Sequence, residues 1–544
     1  MWRWISHLVS PGLRPKGGGR SSSRDSSVCV STSNISPAMF CQSQADACVG
    51  DGGSIPSTSP GAWSPAEWYG FGDAEANNKV RGSRSMIDDD QALLPQHGDL
   101  SGEVLDERRF VNTFPDFDAL PVEQARHVAT RIHARIDLLI PALMVELRSK
   151  IGPIAEASDP RFNQPDFTLY AGAGGLALAL WAAAVYFDER KTHPDLAATC
   201  LADAYRALGH ALDLAEADRA SSTGFYCGAA GVHAIAARMQ RAKNPTAAAE
   251  HTRRVLGALD RALEQPETEI LYGRSGYLYS LLDLRRCTDP RERTPDLENA
   301  LAVVFDALIR EGASLGAELS RQFPDNALAK SPLAYCFPAK QGAVYFGAGH
   351  GLAGVLYVLL HFPERCLHSY ARESIAGALD FLVSIQNREG NFPTDLRGHR
   401  WDLFHWCHGA PGVVPTLCKA YEVFGEARYL DAAQRAADAV WSSGLLRKGV
   451  GICHGIAGSA LSLLTMHRTT RNERDLYRAL RMCEATWSEP CLAVIRQSHD
   501  PQRYRPGSPD LPYSLMEGKA GLLYAYVAMQ RPDQGGFPGY AGAG

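Results

Sequence analysis

Two stretches of this 544-residue chain read alike: Trp406-Cys407-His408-Gly409-Ala410-Pro411-Gly412 and, 46 residues on, Ile452-Cys453-His454-Gly455-Ile456-Ala457-Gly458. Each sets a thiol beside an imidazole directly before a Gly-x-x-Gly bend. Thiolate sulfur and imidazole nitrogen are ligands that zinc takes readily, and two soft sulfurs favour zinc over magnesium or calcium. Cys407 and Cys453 with one neighbouring imidazole make three ligands and leave a fourth position open for water or substrate. The spacing is not the CxxC…CxxC of a structural zinc site. The same two cysteines also suit small buried residues beside packed glycines, and spacing alone leaves both readings open.

The elements that must position these residues are visible in the glycines. Gly-x-x-Gly begins at Gly172, Gly228, Gly273, Gly351, Gly409, Gly455 and Gly518, at intervals of 56, 45, 78, 58, 46 and 63 residues. Each bend opens an apolar run, such as GLALALWAAAVYF or GLAGVLYVLLHF, and seven copies make a repeat. These runs are apolar over much of their circumference, as inner helices are. Between them lie amphipathic segments with one wet face, such as LENALAVVFDALIREGA. Strand-like alternation is nearly absent. The pattern predicts an all-α fold, an α/α toroid of seven outer–inner helix pairs with the seven turns ringing one mouth.

Residues just before each first glycine then share that ring: Ala171, Cys227, Tyr272, His350, His408, His454 and Glu517. One step earlier stand Tyr170, Tyr226, Leu271, Gly349, Cys407, Cys453 and Met516. Metal-capable side chains cluster in repeats four to six. Each has a plainer reading: His350 as a core or capping histidine, Tyr272 and Arg274 as turn residues, Lys448 as a solvated lysine, Glu517 as a helix cap and Cys227 as packing.

Composition bounds the rest. At 45% hydrophobic and 21% charged, the chain can bury a large core. A net charge of −5 gives no sign of nucleic-acid binding. Thirteen scattered cysteines suit a reducing compartment, and cytoplasm is the expected location. The longest apolar run, Leu176 to Phe187, is about half of the roughly 20 residues that span a bilayer. Residues 1–103, rich in Gly, Ser and Pro, are expected to be a disordered extension; five basic residues and no acid up to Arg24 also fit an organellar transit segment. The toroid is expected over 104–538, with a flexible tail at 539–544 and a monomeric state.

The phrases ERRFVNTFPDF, FYCGAAG, LYGRSGYLY, GAGHGLAG, HWCHGAPGV, GVGICHGIAG and PDLPYSLMEGKAG, between residues 107 and 521, resemble the eukaryotic LanC-like proteins, relatives of bacterial lantibiotic cyclases. The resemblance runs over residues 107–538. It implies the toroid, and zinc held by Cys407, Cys453 and His454. His350 matches the cyclases' acid/base histidine. Its partner acid falls at Glu269, where Asp is usual, and His408 takes a slot that is Tyr in some bacterial members. By motif match Arg108 and Lys448 would hold phosphate or glutathione anions. A further basic residue of the family falls at Gly507 here, leaving Arg505 as the candidate.

The resemblance implies a glutathione transferase acting on dehydroalanine or dehydrobutyrine in phosphoproteins or peptides, with glutathione as co-substrate. Zinc would turn the glutathione thiol into thiolate at neutral pH, where a free thiol is mostly protonated. Attack on the β-carbon makes an enolate, and His350 would return a proton to the α-carbon. If phosphate is eliminated first, Arg108 and Lys448 would stabilise the leaving charge. A zinc prenyltransferase would need an aromatic-lined funnel, and the ring shows tyrosines but no aromatic stripe. An α/α glycosidase would need paired carboxylates, for which Glu517 and Glu269 are the candidates. A non-catalytic glutathione-binding scaffold, peripheral at the plasma membrane, is the third alternative; the Met-Gly start of myristoylated chains is missing.

Overall fold

A computed structural model describes residues 104–106, 108–156, 165–218, 222–398, 400–489, 491–493 and 511–538. The N-terminal extension, Arg505 and the last six residues lie outside the described residues. The inner helices are α2 (Ala173–Arg190), α4 (Ala229–Gln240), α6 (Arg274–Cys287), α8 (Leu352–Leu359), α10 (Ala410–Phe424), α12 (Ile456–Thr470) and α14 (Lys519–Met529). The outer helices are α1 (Val122–Arg148), α3 (Pro194–Ala217), α5 (Pro245–Leu256), α7 (Pro295–Gln322), α9 (Arg372–Ser384), α11 (Ala427–Ser443) and α13 (Glu473–Ala485). Each inner helix packs on the next, and α14 packs back on α2, so the ring is closed.

Six outer helices pair with the inner helix that precedes them in the chain. The seventh pair is non-local: α1, the first outer helix, packs on α14, the last inner one. This joins the two ends of the toroid.

Sequence periodicity explains which face each helix buries. On α7, Leu297, Leu301, Val304 and Leu308 face the core, while Asp296 and Glu298 lie in the first turn, where the helix dipole favours acids. Thr294 caps that helix by accepting from the Leu297 amide, and Pro295 fills its first position. Inner α2 has no wet stripe of this kind; twelve of its residues are buried. Among the described residues no helix is long and apolar enough to cross a membrane. A small feature escaped the all-helical expectation. Val104–Asp106 and Arg109–Phe110 form an antiparallel ribbon, and Arg109 also bridges Leu446.

The turns need glycine for a steric reason. A Cβ at Gly412 would lie 1.9 Å from the Trp406 carbonyl oxygen, and one at Gly458 2.1 Å from that of Ile452. In every repeat the second glycine meets the carbonyl oxygen six residues back in this way. Backbone thus packs on backbone where each inner helix starts.

Candidate active site

The residues ahead of the glycines are tied by backbone hydrogen bonds into an arc that runs from the fourth turn round to the third. Gly349 N donates to Cys407 O, Cys407 N to Cys453 O, Cys453 N to Met516 O, Met516 N to Tyr170 O and Tyr170 N to Tyr226 O, at 2.7–3.3 Å. Cys227 N continues it to Leu271 O at 2.9 Å. Neighbouring turns are therefore held in one register, which brings residues remote in sequence to a common mouth. At the third turn a side chain takes over. The Glu269 carboxylate accepts from Leu271 N at 2.6 Å and from Tyr272 N at 2.9 Å.

Within this ring one ligand atom each from Cys407, Cys453 and His454 lie within 4.8 Å of one another, and all three residues are buried. Nε2 of His454 is buried with no hydrogen-bond partner. Burial pushes the Cys453 thiol well up from its ordinary value, and the Cys407 sulfur beside it pushes the same way. His454 is held well below its ordinary value by burial and then by the Lys448 charge. Two crowded thiols and a neutral imidazole form a donor set that a soft divalent cation suits, because the cation's charge reverses the cost of ionising both sulfurs. The residues therefore fit zinc.

The turn that carries Cys407 is braced by Asn391, which the sequence reading passed over. Its buried amide donates to the Trp401 and Leu403 carbonyls at 2.7 and 3.0 Å, and its oxygen accepts from Ala410 N at 2.8 Å. Gly409 lies at φ +121°, a conformation that favours glycine.

His350 stands beside the triad's loop. Its ring centroid is 6.2 Å from that of His408. Nδ1 lies 3.6 Å from the nearer Glu269 oxygen. Phe337 stacks on its ring at 4.3 Å, with Tyr272 at 6.3 Å and nearly parallel. Phe337 comes from the long connection between α7 and α8, which accounts for the 78-residue interval. Nothing in the local sequence marked it.

Cations gather at the same mouth. Arg108 is carried there because Phe110 N donates to Leu445 O and Arg447 N donates to Arg108 O, which lays the N-terminal strand along the loop leading to Lys448. Arg108 pairs with Asp402, which also pairs with Arg400. His408 is driven down to about 3 by burial, with His350, Arg400 and Lys448 adding to the effect. His405 is held well below its usual range by burial first, then by Lys448, His408, Arg108 and Arg400. Its ring centroid is 5.8 Å from that of His454.

The structure thus brings together Cys407, Cys453, His454, His350, Glu269, Tyr272, His408, Arg108 and Lys448. Arg274 is engaged differently. It is buried, donates to the Ala262 and Leu263 carbonyls at 3.3 Å and pairs with Glu311, so its guanidinium closes the end of a short helix, Leu259–Glu264. The end of the described chain supplies an unexpected floor. Phe537 is fully buried with its ring centroid 6.2 Å from that of Trp406, the residue before Cys407. The Pro538 carbonyl accepts from the Tyr226 hydroxyl.

A closed double ring of helices with two thiols and an imidazole converging at one mouth defines an α/α toroid with a metal-competent centre. The chain belongs to the lanthionine synthetase C-like protein family, whose family model matches residues 164–541. It is similar to a Danio rerio protein named Glutathione S-transferase LANCL1, 29% identical over 450 residues, which cover 80% of this chain and 98% of that protein. Among solved structures, nisin cyclase superposes with a TM-score of 0.52 at 14% identity, over 70% of this chain and 93% of that one, a likeness of fold.

Proposed function

We propose that this chain is a zinc-dependent C–S bond-forming transferase. It adds the glutathione thiol to dehydroalanine or dehydrobutyrine residues of proteins or peptides, after eliminating phosphate from phosphoserine or phosphothreonine. The observation that carries this reading is the convergence of Cys407, Cys453 and His454 within 4.8 Å at the mouth that also holds His350. Similarity to a protein named glutathione S-transferase supports the choice of thiol. The ten cysteines found free among the described residues support a reducing, cytoplasmic location.

Cys407, Cys453 and His454 would hold zinc, which supplies thiolate formation at neutral pH and one open coordination position. The sulfur bonds to the β-carbon, the carbon–carbon π pair becomes an enolate, and the proton released by the thiol is balanced by one delivered to the α-carbon. His350 holds that proton, and the Glu269 carboxylate, fixed by two amide donors, faces its Nδ1. Phe337 stacks on the imidazole and screens it from water, with Tyr272 nearly parallel beside the pair. In the elimination His350 takes the α-proton, and the departing phosphate meets Lys448 and Arg108.

Mass spectrometry of a phosphoserine peptide incubated with the protein, zinc and glutathione tests this. The product should lose phosphate and gain glutathione. His350→Ala should keep its zinc and slow addition about 100- to 10,000-fold. Zinc-dependent glutathione binding with neither product would leave a binding scaffold instead.

A further inference from the structure

A histidine that moves protons is commonly aimed by a hydrogen bond at one ring nitrogen. His350 has none at Nδ1. That atom is buried with no hydrogen-bond partner, and the nearer Glu269 oxygen, at 3.6 Å, is too far to accept from it. A flat neighbour holds the ring instead. The Phe337 ring centroid lies 4.3 Å from that of His350, with the planes 24° apart. Tyr345 and His408, each at 6.2 Å, are tilted by 47° and 39°. Tyr272 is nearly parallel but stands to the side at 6.3 Å. Among the described residues only Phe337 stacks closely on the imidazole, and it is itself buried.

Phe337 is presented by a short reversal of the chain. Its amide donates to the Ala343 carbonyl at 2.8 Å, and Gln341 and Gly342 complete the reversal in left-handed backbone, at φ 55° and 72°. The segment that returns toward His350 is pinned on two sides. Leu396 N donates to Val344 O at 2.9 Å and Phe346 N to Thr394 O at 3.1 Å, while Leu352 N donates to Tyr345 O at 3.0 Å. Phe337 therefore stands on a fixed base tied to the turn that carries His350. A flat apolar ring sets the plane of an imidazole without engaging either nitrogen. Both nitrogens then stay available to a group that must take a proton in one step and return it in the next. We infer that Phe337 is the positioning residue of His350: its stacked ring, in place of a hydrogen bond, sets the orientation in which the imidazole meets the α-carbon. The inference rests on the proposed transferase reading for the role of His350 and goes beyond it in naming what aims the ring.

Crystal structures and kinetics of two variants of the full zinc-loaded chain test this. Phe337→Leu keeps an apolar side chain but has no plane to stack. Its crystal structure should show the His350 imidazole in more than one orientation. Its kcat for glutathione addition to a dehydroalanine peptide should fall about 10- to 100-fold, with the KM for the peptide within about twofold and zinc still stoichiometric. Phe337→Tyr restores a flat ring and should recover both the single orientation and most of the kcat. A wild-type kcat in Phe337→Leu, or an imidazole held there in one orientation, overturns the inference. So does a raised KM at unchanged kcat, since Phe337 would then be binding the peptide. A wild-type chain that transfers no glutathione loses the transferase reading, while the ring orientations in the two crystal structures still decide whether Phe337 aims His350.

Discussion

Nδ1 of His350 lies 3.6 Å from Oε2 of Glu269, and that carboxylate already accepts the Leu271 and Tyr272 amides. Glu269 therefore does two things at once. It satisfies the two amides of the third turn that have no partner on the next turn, and it sets a carboxylate beside the proposed proton carrier. Glu269→Gln can accept from one amide only and turns a donor toward the other. The buried amide left unsatisfied should cost about 1–3 kcal/mol. The melting temperature of the variant should fall by a few degrees and glutathione addition should slow with zinc retained. A wild-type melting curve would show that the carboxylate is not part of the ring.

Cys453 is the buried thiol whose neighbour is the Cys407 sulfur. Cys453→Ala leaves one sulfur and one imidazole, too few for a stable three-ligand site. Stoichiometric zinc should be lost while far-UV circular dichroism stays helical. Full zinc by metal analysis in this variant would remove Cys453 from the ligand set.

A second histidine pair lies away from the mouth, with Nδ1 of His233 3.2 Å from Nδ1 of His251. His233 is lowered to about 4, by burial first and by His251 second. The unfolded chain titrates this group near 6.5. Between those values the unfolded chain binds a proton that the folded chain refuses. Stability is thus complete above about pH 6.5 and declines as the pH falls toward 4, by on the order of 3 kcal/mol. His233→Leu should flatten that part of a denaturant-midpoint-against-pH curve, leaving the smaller contribution of His251. An unchanged slope would assign the acid sensitivity elsewhere.

Phe537 lies beneath the Cys407 turn, and Arg468 on α12 donates to the nearby Gly535 carbonyl at 3.1 Å. Phe537→Ala removes a fully buried ring and should destabilise the fold by about 3–5 kcal/mol. Because the ring rests on Trp406, zinc should also dissociate faster from the variant, as followed with a chromogenic chelator. A destabilised variant with wild-type zinc release would confine Phe537 to packing.

The toroid and the gathering of the Cys-His turns at one mouth were legible because they repeat. Seven Gly-x-x-Gly bends, each opening an apolar run, are a periodic signal, and two of them carry Cys-His. What was missed has no period. Phe337 reaches His350 from an irregular connection, Asn391 caps a turn that begins 18 residues later in the chain, and Arg400 meets Arg108 through Asp402. Arg274 sat in a suggestive motif, yet it is buried against helix-end carbonyls, which only a three-dimensional neighbour list could show.

The sequence by itself determined the number of turns, the helices they open and the presence of two thiols and an imidazole at equivalent steps of the repeat, since glycine sterics and helical periodicity are local. Only the tertiary structure decided that α1 closes on α14, that Glu269 takes the place of a backbone carbonyl, and that two arginines share one aspartate at the mouth. The helix closure and the Arg108–Asp402 pair join residues far apart in the chain, and Glu269 is turned inward by the packing of the ring around it. Their energy comes from burial and charge pairing that exist only once the ring has closed.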